Sequence, residues 1–264
     1  MNYRFEPNLC CITLLTLAVA IHSCGNNQIE KQLIQTHSEN ADSVRINLRS
    51  GPIDTAYYKR LLMGTLNVKD DSSFVMLPSE FTTKPIYLNS EAAKNLVRMI
   101  EAAKLDNVEL TVLSGYRSYS DQKAIWTRKW NERNITDGTA KCKDIMLYSA
   151  MPKTSRHHWG TDVDLNSLDN SYFTSNKGKE VDSWLFENAG KFGFQCVYTD
   201  KSITKRMGYE LEKWHWSYMP IATKYLQLYN QLIGYQDISG FPGSESARDC
   251  KAIEEYVNGI TSHL

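Results

Sequence analysis

The sequence lacks an excess of either charge. Its 264 residues carry 30 Lys plus Arg and 30 Asp plus Glu. Without a basic surplus, neither nucleic acid nor a polybasic membrane patch is an expected partner. There is no CxxC pair, which removes a thiolate zinc site of the usual spacing. There is no HExxH, which removes the better-known zinc-protease helix. No internal repeat is present. No uncharged apolar run reaches the roughly 20 residues needed to cross a bilayer. Histidine is scarce, with six in the whole chain.

The rest of the composition is ordinary. The apolar fraction is 42% and the charged fraction 23%, as in soluble globular proteins, and the length allows one well-buried domain. The N-terminus stands apart. "LCCITLLTLAVAI", Leu9 to Ile21, has the length of a signal-peptide apolar core, and "IHSC" then places Cys24 after a small residue. That pattern resembles a lipoprotein lipobox, with His22 and Glu6 as departures. It implies lipidation of Cys24, removal of residues 1–23, and a membrane-anchored protein of the bacterial envelope facing the periplasm. Cys142, Cys196 and Cys250 then remain, enough for at most one disulfide, and the sequence does not choose the pair.

Residues 24–55 are polar and aperiodic and read as a tether. A catalytic domain is expected over 56–232 and a C-terminal helical appendage over 233–264. "LNSEAAKNLVRMIEAAKL" is helical, with Asn89 or Ser90 as its cap. "VELTVLSGY" alternates as a strand. "SYSDQKAIWTRKW" is a helix opened by Ser118 and Asp121 as a capping box. "NERNITDGTAKCKD" reads as a polar loop. "VDSWLFENAGKFGF" is a helix with Gly190 near its end, "KWHWSYM" a strand, "TKYLQLYNQLIGY" a helix. "ESARDCKAIEEYVNGI" reads as a last amphipathic helix. Helices and strands alternate without a βαβ period. The expected class is α+β, a small, mostly antiparallel sheet flanked by helices in a single catalytic domain, and the expected state a monomer.

"SRHHWGTDVDL", Ser155 to Leu165, mixes imidazoles, a glycine and carboxylates in a way that suits a metal site better than a core strand. His37 lies in the tether and His263 at the chain end, which leaves His157, His158 and His215 as candidates. Catalytic zinc takes three protein ligands from imidazole and carboxylate groups, plus water. Asp164 follows His157 by seven residues, an odd offset that on one unbroken strand would point the two apart. Gly160 can supply the turn that reunites them. His158 is expected to be structural. Asp162 reads as a strand-end or turn carboxylate. Glu212, three residues before His215, can flank a metal without ligating it.

Ser155-x-His157-x-x-Gly160-x-x-x-Asp164, then Glu212-x-Trp214-His215, with "SGYRSYSDQ" (Ser114 to Gln122) upstream, resembles the VanY-type D-alanyl-D-alanine carboxypeptidases. These belong to the LAS group of zinc peptidases. The resemblance runs from about Leu61 to Pro220. It implies that His157, Asp164 and His215 hold Zn2+ and that Glu212 is the general base. It implies that Arg117 polarises the scissile carbonyl and that Ser155 and Gln122 hold the substrate, a peptidoglycan stem peptide ending in D-Ala-D-Ala. Three positions depart from the pattern. Lys153 stands where glycine is usual, Asp162 where a small residue is usual, and Arg156 where an acid is common. An L,D-carboxypeptidase, an endopeptidase, or a non-catalytic peptidoglycan-binding lipoprotein is the alternative. A penicillin-binding serine mechanism fails on order. "SDQK" and "KTS" imitate two of its motifs, but the SxN at Ser38 precedes both.

Overall fold

A computed structural model describes residues 53–261 of the chain. The signal segment 1–23, Cys24, His37, His263 and nearly all of the 24–55 tether lie outside the described residues.

Helix α1 (Thr55–Leu62) opens the described chain, with Asp54 Oδ1 accepting from Tyr57 N at 2.9 Å. Strands β1 (Phe74–Met76) and β2 (Tyr87–Asn89) pair antiparallel as a small separate sheet that the sequence reading did not foresee. Helix α2 (Ser90–Leu105) follows directly, capped by Asn89, whose Oδ1 accepts from Glu91 N at 3.0 Å. Then come β3 (Val112–Ser114), α3 (Tyr119–Glu132), α4 (Gly138–Ile145), β4 (Asp162–Leu165), α5 (Asn176–Asn188), β5 (Phe194–Cys196), the single-turn α6 (Lys201–Thr204), β6 (His215–Tyr218) and α7 (Met219–Leu232). The main sheet is antiparallel throughout, in the order β3-β4-β6-β5. The α+β expectation is met.

Strand alternation divides this sheet between two tasks. Val163 and Leu165 of β4, with Trp216 and Tyr218 of β6, join the cluster buried under α2. That helix contributes Leu96, Met99 and Ile100, each buried side chain stabilising by about 1.5–3 kcal/mol. Asp162, Asp164, His215 and Ser217 therefore share the opposite face. The register pairs Asp164 with His215 and Asp162 with Ser217.

Two stretches differ from expectation. The "polar loop" after α3 contains α4. Asp137 caps it, its Oδ1 accepting from Ala140 N at 2.6 Å, and only Cys142 and Ile145 of the helix are buried. So short an apolar stripe, opening on an Asp-Gly pair, carries a turn signal in sequence. The expected last amphipathic helix is instead a 3₁₀ turn (Ser244–Ser246) and a π-turn (Ala252–Val257), separated at Lys251, whose φ is 52°. Ser118 caps α3 as expected, although Asp121 returns its bond to the Ser118 hydroxyl and not to the backbone N–H of a capping box. Ser118 Oγ accepts from Asp121 N at 3.1 Å and donates to Asp121 Oδ2 at 2.6 Å.

The segment beyond α7 packs as core. Ile238, Phe241, Cys250 and Tyr256 bury against Trp126 of α3 and Ile145 of α4. Trp126 Nε1 donates to Pro242 O at 2.8 Å, and Cys142 Sγ donates to Gly243 O at 3.4 Å. Cys142, Cys196 and Cys250 all carry free thiols. Phe241 stands edge-on to Trp126, with centroids 5.9 Å apart. Phe241→Ala should therefore destabilise by about 3–5 kcal/mol in urea titrations, as for other buried phenylalanines. A loss below about 1 kcal/mol would mean that this segment contributes little to the core.

Candidate metal centre

The motif that opens the site is bent by one residue. Arg156–Trp159 form a 3₁₀ turn, and Gly160 closes it in the left-handed region at φ 68°. A Cβ there would lie 2.3 Å from Phe74 Cε1, so both backbone and packing demand glycine. The turn brings His157 back over β4. The odd offset between His157 and Asp164 is resolved as the sequence suggested.

His157, Asp164 and His215 are all buried, and each offers a ligand atom within 4.8 Å of the others. His157 Nδ1 is 2.8 Å from Gly115 O, a pure acceptor. Nδ1 therefore carries the hydrogen and Nε2 is the free nitrogen. That Nε2 lies 3.3 Å from Asp164 Oδ2. His215 is turned the other way. Its Nε2 lies 3.1 Å from Asp162 Oδ1, and its Nδ1 lies 3.2 Å from Asp164 Oδ1. The two separations run to different oxygens of Asp164, and the three ligand atoms lie close enough together to share one ion. Two imidazoles and one carboxylate, with no thiolate, suit zinc.

The electrostatics agree with a waiting cation site. Burial holds His157 below its ordinary pKa and so keeps it neutral. Burial also opposes charge on His215, but its hydrogen bonds to Asp162 and Asp164 prevail and raise it to about 9. Asp164 is held well below the usual carboxylate range. Burial opposes this, but the two histidines outweigh it.

Around the trio, Arg117, Ser155 and Glu212 line the same cleft of about 610 Å³. Arg117 Nη1 donates to Gln122 Oε1 at 2.9 Å and Nη2 to Ser114 Oγ at 2.8 Å, with Nη2 also 3.6 Å from Asp164 Oδ2. Glu212 is only 6% exposed. Its Oε2 lies 3.9 Å from His215 Nδ1, and burial pushes its carboxyl up to about 8.

Gln122 is placed differently from the expectation of substrate contact. It is fully buried, does not line the cleft, and bridges Arg117 to Ala150 O, to which its Nε2 donates at 2.7 Å. His158 is buried and held by two backbone groups. Its Nδ1 donates to Arg117 O at 2.6 Å and its Nε2 accepts from Lys153 N at 3.1 Å. Burial drops its pKa to about 3, so it stays neutral. Sequence reasoning missed Ser114 and Tyr198, whose ring lies 4.5 Å from that of His215. Ser114 opens the "SGYRSYSDQ" motif without being singled out, and no motif signals Tyr198. Sequence reasoning left Asp162 as a strand-end or turn carboxylate; the residue does open β4, but its side chain lies against His215.

Comparison with known proteins covers this same region. The family described as VanY, D-alanyl-D-alanine carboxypeptidase, matches residues 85–221. The protein YodJ of Bacillus subtilis (strain 168) is 37% identical over 137 residues, 50% of this chain and 46% of its own. The D-alanyl-D-alanine carboxypeptidase of Enterococcus faecalis (strain ATCC 700802 / V583) is 36% identical over 131 residues, 48% of this chain and 47% of its own. The match therefore spans about half the length of these relatives. Among solved structures, VanYB in complex with D-alanine-D-alanine shares 32% identity and covers 57% of this chain and 84% of its own, with a TM-score of 0.43. The LdcB LD-carboxypeptidase shares 26% identity and covers 70% of this chain and 78% of its own, with a TM-score of 0.46. The family match takes in more than half of the chain and includes Arg117, His157, Asp164, Glu212 and His215, so this protein belongs to the VanY family of D-alanyl-D-alanine carboxypeptidases.

Proposed function

We propose that this chain is a zinc-dependent D,D-carboxypeptidase that removes the terminal D-Ala from peptidoglycan stem peptides. The observation that carries this reading is the meeting of a buried His-Asp-His trio, a buried carboxyl and a guanidinium in one cleft. His157 Nε2, Asp164 and His215 Nδ1 would hold the ion. When bound, zinc lowers the pKa of a water from about 16 to about 7 and polarises a carbonyl.

The chain's own groups do the rest. Glu212 takes the proton from the attacking water and hands it to the departing D-Ala amine. A carboxyl raised by burial is matched to proton transfer near neutral pH. Arg117 donates to the scissile carbonyl oxygen as negative charge builds there, an effect worth roughly 10²–10³ in rate for one such donor. Gln122 and Ser114 hold its planar fork in place, which makes Gln122 a positioning residue. Ser155, on the cleft wall, contacts the substrate.

The chain acts as a monomer on the cell envelope. Export by residues 1–23, lipidation at Cys24 and a tether to residue 55 would place the globular domain, whose core takes in Ile238, Phe241, Cys250 and Tyr256, within reach of the wall. Digestion of purified muropeptides tests the specificity. Pentapeptide stems should lose one terminal D-Ala by mass. Shortening of tetrapeptide stems alone, or release of cross-links, would replace this reading with an L,D-carboxypeptidase or an endopeptidase.

Two further outcomes follow from the charge states. Glu212→Gln should lower kcat by roughly two to four orders of magnitude while zinc content and melting temperature stay unchanged. Parallel loss of zinc would make Glu212 a ligand instead. Zinc binding at pH 7 should release about one to two protons. His215, raised to about 9, and Glu212, raised to about 8, are both protonated in the metal-free site at that pH. Affinity should thus rise with pH until both have deprotonated. Calorimetry in buffers of different ionisation enthalpy reads the count, and zero protons would contradict these charge states.

A further inference from the structure

Asp162 lies one register row along the sheet from Asp164, and Arg156, on the cleft wall, reaches it from the turn before β4. Asp162 is fully buried and absent from the cleft wall. Its Oδ2 accepts from Thr161 Oγ1 at 2.6 Å. Its Oδ1 accepts from Arg156 Nε at 3.0 Å and from His215 Nε2 at 3.1 Å. The Arg156 side chain is only 1% exposed. Its Nη2 donates to Ser217 Oγ at 2.6 Å, and its guanidinium lies 4.6 Å from the Trp159 ring centroid.

Neither charge could stay buried alone. Asp162 opposes Ser217 across β4 and β6, while Asp164 opposes His215. The two rows are therefore bolted together by the His215 ring, with one nitrogen on each carboxylate. An arginine suits the Asp162 row because its planar fork reaches Asp162 and Ser217 at once.

We propose that the buried Arg156–Asp162 pair is a positioning device that fixes the ring orientation and tautomer of His215, keeping Nδ1 free for the metal. This rests on the reading of His215 as a zinc ligand. Asp162 receives the Nε2 hydrogen and so determines which nitrogen faces the cleft. Arg156 keeps that carboxylate charged and in place.

A zinc-affinity cycle separates this role from a purely structural ion pair. Asp162→Ala, Arg156→Met and the double variant are compared for melting temperature and for zinc affinity by chelator competition. Asp162→Ala should weaken zinc binding roughly 10–100-fold, the usual loss for an outer partner of a ligand. It should also lower the melting temperature, because Arg156 is left unpaired. The double variant should recover most of the melting temperature while zinc binding stays weak. Asp162→Asn, which keeps an acceptor for Nε2, should bind zinc more tightly than Asp162→Ala and covers the case in which the alanine variant fails to fold. If Asp162→Ala or the double variant binds zinc as tightly as the wild-type chain, or if Asp162→Asn binds it no more tightly than they do, the pair is structural and the proposal falls. If the wild-type chain binds no zinc, the metal reading falls with it.

Discussion

The register of β4 against β6 is the constraint on which everything else rests. Asp164 opposite His215 is what closes the trio, and Asp162 opposite Ser217 is what lies beside it. A slip of β4 by one residue would turn Asp162 and Asp164 into the apolar layer under α2 and bring Val163 and Leu165 to the polar face in their place. The hydrophobic core thus does more than stabilise. By making every alternative pairing costly, it holds ionisable groups on one face at separations that a metal can use.

The local cost of that arrangement is electrostatic. Two carboxylates, Asp162 and Asp164, are buried on neighbouring positions of one strand face. Each has its own cation, Arg156 for the first and Arg117 with His215 for the second. Two of the sequence's departures from the family pattern, at 156 and 162, are therefore one feature. A base and an acid lie side by side in the core and neutralise each other. His158, adjacent to a ligand, does different work by tying the backbones at Arg117 and Lys153.

Much of this was legible in the chain because ligands and turns leave local marks. The Gly160 turn, the caps at Asn89 and Ser118, and the scarcity of histidine each narrowed the choice within a few residues. What escaped was set by distance in the sequence. Gln122 looked like a substrate contact because it sits in a motif, yet its amide is taken up by Ala150, which folding brings from 28 residues away. Asp162 was legible as a strand-end carboxylate but not as a partner of His215, because Arg156 and His215 belong to other elements. Helix α4 is short, and its cap resembles a loop. The last segment has helical periodicity, but Lys251 in the left-handed region interrupts it, and the packing against α3 and α4 dictates its course.

That last segment also sets a timetable. Trp126 waits for Pro242, 116 residues later, and Cys142 for Gly243, 101 residues later. During synthesis at roughly 5–20 residues per second, the chain would complete His215 while the underside of α3 was still open to solvent. Arg117 and Gln122 lie at the start of that helix. The nascent protein would therefore own all its zinc-site residues several seconds before it owned a rigid wall to hold the arginine. The wall beneath the arginine would set only once Pro242 and Gly243 had been added.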